Sequence, residues 1–129
     1  MGGSKDGSQR ILIVEDNRDN RELVVKILKA KGYKIIEAVD GEEALQKLTE
    51  EKPDLILMDI SIPKIDGLKV TRRIKAQEEL SDIIIVALTA HAMKGDREKA
   101  LEAGCEGYIP KPINVRELAE QVRHFMMMK

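Results

Sequence analysis

Five times along the chain, a run of four to seven mainly apolar residues is followed by a longer stretch whose apolar residues recur at helical spacing. The runs are "ILIVE" from Ile11 to Glu15, "YKIIEA", "LILMD" ending at Asp59, "IIIVALT" ending at Thr89, and the short "GYIP". The first intervening stretch, Asp19 to Lys31, places Leu23, Val24, Ile27 and Leu28 on one helical face, and Gly32 supplies a stop. Asp40 and Glu43 have capping-box spacing ahead of an inner face of Ala44, Leu45 and Leu48, with Pro53 ending that helix. Leu68, Thr71 and Ile74 mark a third helix. A fourth spans Asp96 to Ala103 before Gly104. Asn114 with Glu117 caps a fifth, whose inner face is Val115, Leu118, Ala119, Val122 and Phe125.

Strand–helix alternation of this kind predicts an α/β fold, a doubly wound five-stranded parallel sheet with helices on both faces. Composition orders the strands. The first, third and fourth runs are almost uniformly apolar, as strands covered on both faces must be. The second carries Lys34 and Glu37, and the fifth is short and ends in Pro110, both marks of an edge. Right-handed crossovers then favour the order 2-1-3-4-5, with a topological switch between the first and third strands. Ligands of such sheets bind beyond the carboxyl ends of the strands at that switch.

A length of 129 residues fits one domain, expected over 10–129 behind a flexible Gly/Ser/Lys-rich tail at 1–9. With 22 basic and 23 acidic residues, the net charge of -1 gives no support for nucleic-acid or membrane binding through bulk charge. The apolar runs are far short of a membrane span, and the N-terminus lacks the apolar core of a signal peptide. A lone cysteine, Cys105, excludes an internal disulfide and suits a reducing cytoplasm, the expected location.

The chemistry gathers at strand ends. Glu15 and Asp16 follow the first strand, Asp59 ends the third, Thr89 the fourth, and Lys111 follows the fifth. Carboxylates brought together repel one another, and a hard divalent cation such as Mg²⁺, which takes oxygen ligands, compensates them. Carboxylates, metal, hydroxyl and lysine together suit phosphoryl transfer to a carboxylate, where neutralisation and positioning matter more than acid–base work. Each residue also has a plain reading: Asp16 or Asn17 as a helix cap, Thr89 as a strand former, Lys111 as a loop residue before proline. Their coincidence on one sheet edge favours the site.

The stretches "ILIVEDN", "PDLILMDISIPKIDG", "ALTAHAMKGD" and "GCEGYIPKPI" resemble the receiver domain of response regulators, the CheY-like, flavodoxin-like fold, from Arg10 to about Met126. The resemblance implies two-component signalling. Asp59 would be the phosphoacceptor, charged by a sensor histidine kinase or a histidine phosphotransfer protein. Glu15 and Asp16 would be the acidic pair of the Mg²⁺ site, joined by the backbone carbonyl of Ser61. Thr89 and Tyr108 would be the switch residues, and Lys111 the phosphate-contacting lysine before a cis proline. An output face formed by the fourth helix, fifth strand and last helix, roughly Met93 to Phe125, would bind a downstream protein. The match is most like stand-alone receivers of the DivK type, and the same motifs occur in receivers of hybrid histidine kinases. On this view the protein is no enzyme beyond phosphotransfer and dephosphorylation on itself. Ser61 and His91, two residues beyond the phosphoacceptor and the switch threonine, would tune dephosphorylation.

A rival from another class is a phosphatase of the haloacid dehalogenase type, which also uses a strand-end aspartate with Mg²⁺ and lysine. That family places a second aspartate two residues after the nucleophile, where this chain has Ser61, and the chain has no room for the usual cap domain. His91 and His124 lack ligand-like spacing and read as surface residues. Cys105 reads as a buried packing residue, and Met126-Met127-Met128 as a fraying helix end.

Overall fold

The structure is a computed structural model, and it describes residues 9–60, 66–89 and 94–128. Ser61, His91, Met93 and the first eight residues of the tail lie outside the described residues. The elements run β1 Arg10–Val14, α1 Arg18–Lys29, β2 Lys34–Ala38, α2 Gly41–Glu50, β3 Leu55–Asp59, α3 Gly67–Lys75, a 3₁₀ turn Glu78–Leu80, β4 Ile84–Thr89, α4 Lys94–Ala103, β5 Gly107–Pro110 and α5 Leu118–Met126. All strand pairings are parallel, and the spatial order is β2-β1-β3-β4-β5. This is the expected 2-1-3-4-5 arrangement.

Alternation of side chains across each strand divides the core in two. Leu12, Val14, Ile56, Met58, Ile85 and Ala87 face the layer of α2, α3 and α4. Ile11, Ile13, Leu55, Leu57, Val86 and Leu88 face α1 and α5. Every residue of β3 and β4 is buried, which is why these sequences carry no polar face. Each fully buried aliphatic side chain contributes roughly 1.5–3 kcal/mol relative to exposure, so the central strands anchor the sheet. Exposed Lys34 and Glu37 lie on the edge strand β2 and pair with Glu51 at 3.2 Å and Arg21 at 3.2 Å respectively.

Helix ends follow local chemistry. Asn17 accepts from the Asn20 amide at the start of α1, and Asp40 accepts from the Glu43 amide at the start of α2. Glu43 returns a carboxylate bond to the Val39 amide at 2.7 Å, one residue earlier than an ideal capping box. Gly32 at φ 93° and Gly104 at φ 112° turn the chain after α1 and α4, in a conformation that side chains resist.

Three expectations are corrected. Leu23 is 36% exposed, because α1 meets the sheet through Val24 and Leu28 on a narrower stripe. Val115 is 54% exposed, because α5 begins only at Leu118; Asn114 instead accepts from the Arg116 and Glu117 amides in a preceding turn. Met126 is buried in the α1–α5 core rather than frayed, while Met127 and Met128 are exposed.

Away from the carboxyl ends of the strands, Lys75 acts as a clamp. Its ammonium donates to the Ser81 carbonyl at 3.1 Å, the Ile83 carbonyl at 2.7 Å and Glu106 at 2.7 Å. Glu106 in turn accepts from the Ile85 amide at 2.7 Å, so α3, β4 and the approach to β5 are tied together.

Candidate functional site

Parallel pairing in register brings the carboxyl ends of β1, β3, β4 and β5 to one edge. Val14 pairs with Met58, Asp59 with Leu88, and Thr89 with Pro110. Residues that leave these strands therefore converge although they lie far apart in sequence. Glu15 continues from β1, with its amide donating to the Ala38 carbonyl at 3.0 Å. The Lys111 amide donates to the Thr89 carbonyl at 2.7 Å, which fixes where its side chain starts.

Glu15, Asp16 and Asp59 each offer a carboxylate oxygen within 4.8 Å of the others. Glu15 and Asp59 are buried, at 1% and 3% exposure, while Asp16 is open to solvent. Asn17, not Asp16, caps α1, so Asp16 has no capping duty to explain its place. The ammonium of Lys111 sits between the buried pair, 2.7 Å from Glu15 Oε1 and 2.9 Å from Asp59 Oδ2. Charge compensation that the sequence suggested for a metal is thus carried in part by the chain itself.

The electrostatics follow from burial. Desolvation first, and then the hydrogen bond with Asp59, raise the Glu15 carboxyl to about 7, against the opposing pull of Lys111. Burial by itself would lower Lys111, but its hydrogen bonds to Glu15 and Asp59 outweigh that, and it is shifted upward. Around neutrality the pocket therefore holds the Lys111 ammonium beside a Glu15 carboxyl whose burial favours its protonated form. Hard oxygen donors at this separation fit a divalent cation such as Mg²⁺.

Supporting contacts hold these groups in place. Arg21 of α1 donates to the Glu15 carbonyl at 3.0 Å while pairing with Glu37 of β2. The Asn17 amide donates to Glu15 Oε2 at 3.2 Å. The Ile60 amide donates to the Leu88 carbonyl at 3.2 Å, which extends the β3–β4 ladder past Asp59. Gly67 is packed so closely that a Cβ there would lie 2.7 Å from the Asp59 carbonyl oxygen. Sequence reasoning missed Arg21 and Gly67: a basic residue within a helix and a glycine opening one carry no signal of a tertiary contact.

The remaining site candidates fall into place unevenly. Thr89 is buried at 3% and lies one residue beyond the strand partner of Asp59. Tyr108 is partly buried against the α2–α4 core, two positions from Thr89 in register and on the same sheet face. The Lys111–Pro112 bond is cis. His124 is exposed and meets Phe125 edge-on at 5.7 Å. Cys105 is buried with its thiol pushed by desolvation up to about 11, an inert packing residue.

Cleft size does not mark the chemistry. A cleft of about 500 Å³ lies between α2 and α3 against Leu45, Leu48, Arg73 and Leu80, where no carboxylate cluster gathers among the described residues. A smaller one of about 320 Å³ borders Lys111 with Asn20, Pro112 and Ile113.

Comparison with known proteins agrees with this geometry. A family model described as the response regulator receiver domain matches residues 11–123. The polar-differentiation response regulator DivK of Brucella ovis is 44% identical over 119 residues, covering 92% of this chain and 97% of that protein. Among solved structures, the receiver domain of a sensor histidine kinase from Pseudomonas aeruginosa, with a magnesium ion coordinated in its active site cleft, superposes with a TM-score of 0.85. It is 38% identical, covering 94% of this chain and 99% of that one. The chemotaxis response regulator CheY4 of Vibrio cholerae gives a TM-score of 0.87 at 25% identity, covering 92% and 98%.

Proposed function

The chain belongs to the response regulator receiver domain family, and from that premise we propose that it is a phosphorylation-controlled switch whose acceptor is Asp59. The observation that carries this reading is the Lys111 ammonium held between Asp59 and Glu15 with Asp16 alongside. Such a site keeps a buried carboxylate ready as a nucleophile and has a cation in place for the charge that arrives.

In the proposed reaction a carboxylate oxygen of Asp59 attacks the phosphorus of a phosphohistidine or a small acyl phosphate. An O–P bond forms, the donor's P–N or P–O bond breaks, and the electron pair leaves with the imidazole or the carboxylate. Lys111 stays with the acceptor and meets the incoming phosphoryl oxygens, and the Thr89 hydroxyl donates to one of them. Glu15, Asp16 and Asp59 would hold Mg²⁺, with the Ser61 carbonyl as a further ligand. When bound, Mg²⁺ neutralises charge on the transferring group. The donor would be a sensor histidine kinase or a histidine phosphotransfer protein. Output would pass through the surface of α4, β5 and α5 to a protein partner, with Tyr108 turning as Thr89 moves. The chain's only chemistry would then be on itself.

Intact-mass spectrometry tests this after incubation with acetyl phosphate. A single phosphoryl addition is expected with Mg²⁺ and not with chelator, and Asp59→Asn abolishes it. A single labelled site that persists in Asp59→Asn would sink the assignment.

A further inference from the structure

Tyr108 has a second neighbour that the site at the strand ends does not explain. Arg97, exposed on α4, places its guanidinium carbon 5.2 Å from the centre of the Tyr108 ring. Ala100 and Ala103, three and six residues further along α4, are buried against the sheet. Arg97 therefore leaves the helix one turn before its packed face and reaches over the ring. On the sheet side, the strand partner of Tyr108 is Ala87, a small residue that leaves room for the ring on the face it shares with Thr89. The ring is thus supported from outside by a cation and bordered on the inside by a small residue. Tyr108 also borders a cleft of about 370 Å³ with Glu117, Gln121 and Phe125, so its position shapes the surface between β5 and α5.

We propose that Arg97 is a positioning residue: its stacking on Tyr108 holds the ring outward and sets how far the switch is biased before Asp59 is phosphorylated. The inference rests on the switch reading above. A cation–π contact at a partly exposed ring weights a two-state equilibrium by about two- to fivefold, enough to change the resting population of a marginally biased switch. Loss of the contact should move the ring inward and make the site more responsive. Electrostatics alone predicts the opposite, since removing a positive charge weakens attraction for an anion.

The test uses the full chain labelled with 3-fluorotyrosine, whose two ¹⁹F resonances report Tyr33 and Tyr108. Beryllofluoride with Mg²⁺ is titrated as the phosphate mimic into wild type, Arg97→Gln and Arg97→Lys. Arg97→Gln should lower the titration midpoint about two- to fivefold and shift the mimic-free Tyr108 resonance toward its mimic-bound position. Arg97→Lys, which keeps a cation, should recover most of the wild-type behaviour. An unchanged or raised midpoint in Arg97→Gln, or equal effects of Gln and Lys, overturns the latch. If wild-type Tyr108 responds to the mimic while Arg97→Gln behaves identically, the latch alone fails. If wild-type Tyr108 ignores a mimic that demonstrably binds, the switch reading falls and the latch with it.

Discussion

Lys111 is the residue on which the site balances. Removing its charge leaves Glu15 and Asp59 buried beside each other without the ammonium that sits between them. Breaking such a buried arrangement by deleting one partner costs up to about 3–5 kcal/mol, but a carboxylate that takes up a proton escapes part of that cost. Lys111→Met, measured in chelator, should therefore lose more thermal stability at about pH 8 than at about pH 5. Equal losses at both would contradict the arrangement. The wild-type protein should show the same sign more weakly. Glu15 is raised to about 7 from an ordinary 4.5, so the folded state binds its proton more tightly than the unfolded state. That contribution is fully present below 4.5 and is lost as pH climbs through 7. Without metal, Glu15→Gln should flatten the fall in melting temperature across this window. An unchanged slope would place the titration elsewhere.

At the scale of elements, the strands were legible and their mutual contacts less so. The bounds of β3 coincide with the apolar run read from the sequence, because a strand buried on both faces leaves an unbroken aliphatic signature; those of β5, a short edge strand, coincide because Gly107 and Pro110 bracket it. β1 is displaced by one residue, since Glu15 leaves the ladder to turn into the site while Arg10 pairs with Lys34. The start of α5 was read too early because local spacing registers Val115 as apolar without showing that it borders a groove between α1 and α5. Glu15, Asp16, Asp59, Thr89 and Lys111 were legible as strand-end residues. The direct ion pair from Lys111 to Asp59, 52 residues away, depends on register across three strands and has no local signal. Gly67 gives this scale its own test. Backbone atoms of Asp59 and Ile60 lie 2.7 Å from where its Cβ would be, and backbone cannot swing aside as a side chain can. Gly67→Ala should cost about 1–3 kcal/mol and also slow phosphorylation, by displacing the end of β3. A variant with wild-type stability and rate would show that α3 is free to move off the strand.

Over the whole molecule, the fold separates stability from response. The clamp of Lys75 and Glu106 and the two aliphatic cores secure the sheet away from the strand ends, while Glu15, Asp16, Asp59 and Thr89 gather where the strands finish. No helix among the described residues is long and apolar enough to cross a membrane. A phosphoryl group at Asp59 adds negative charge and strong acceptors next to Lys111 and near Thr89. Thr89 and Tyr108 share a sheet face, which on the proposed function would give that charge a short path to the edge strand and to α4 and α5. The most direct measurement is a comparison of backbone amide NMR signals with and without beryllofluoride in the presence of Mg²⁺. The account predicts shifts around Asp59 and Thr89 that continue through Tyr108 and along α4, β5 and α5, absent in Asp59→Asn. Shifts confined to the acidic pocket, with Tyr108 and the α4–β5–α5 surface unchanged, would contradict it.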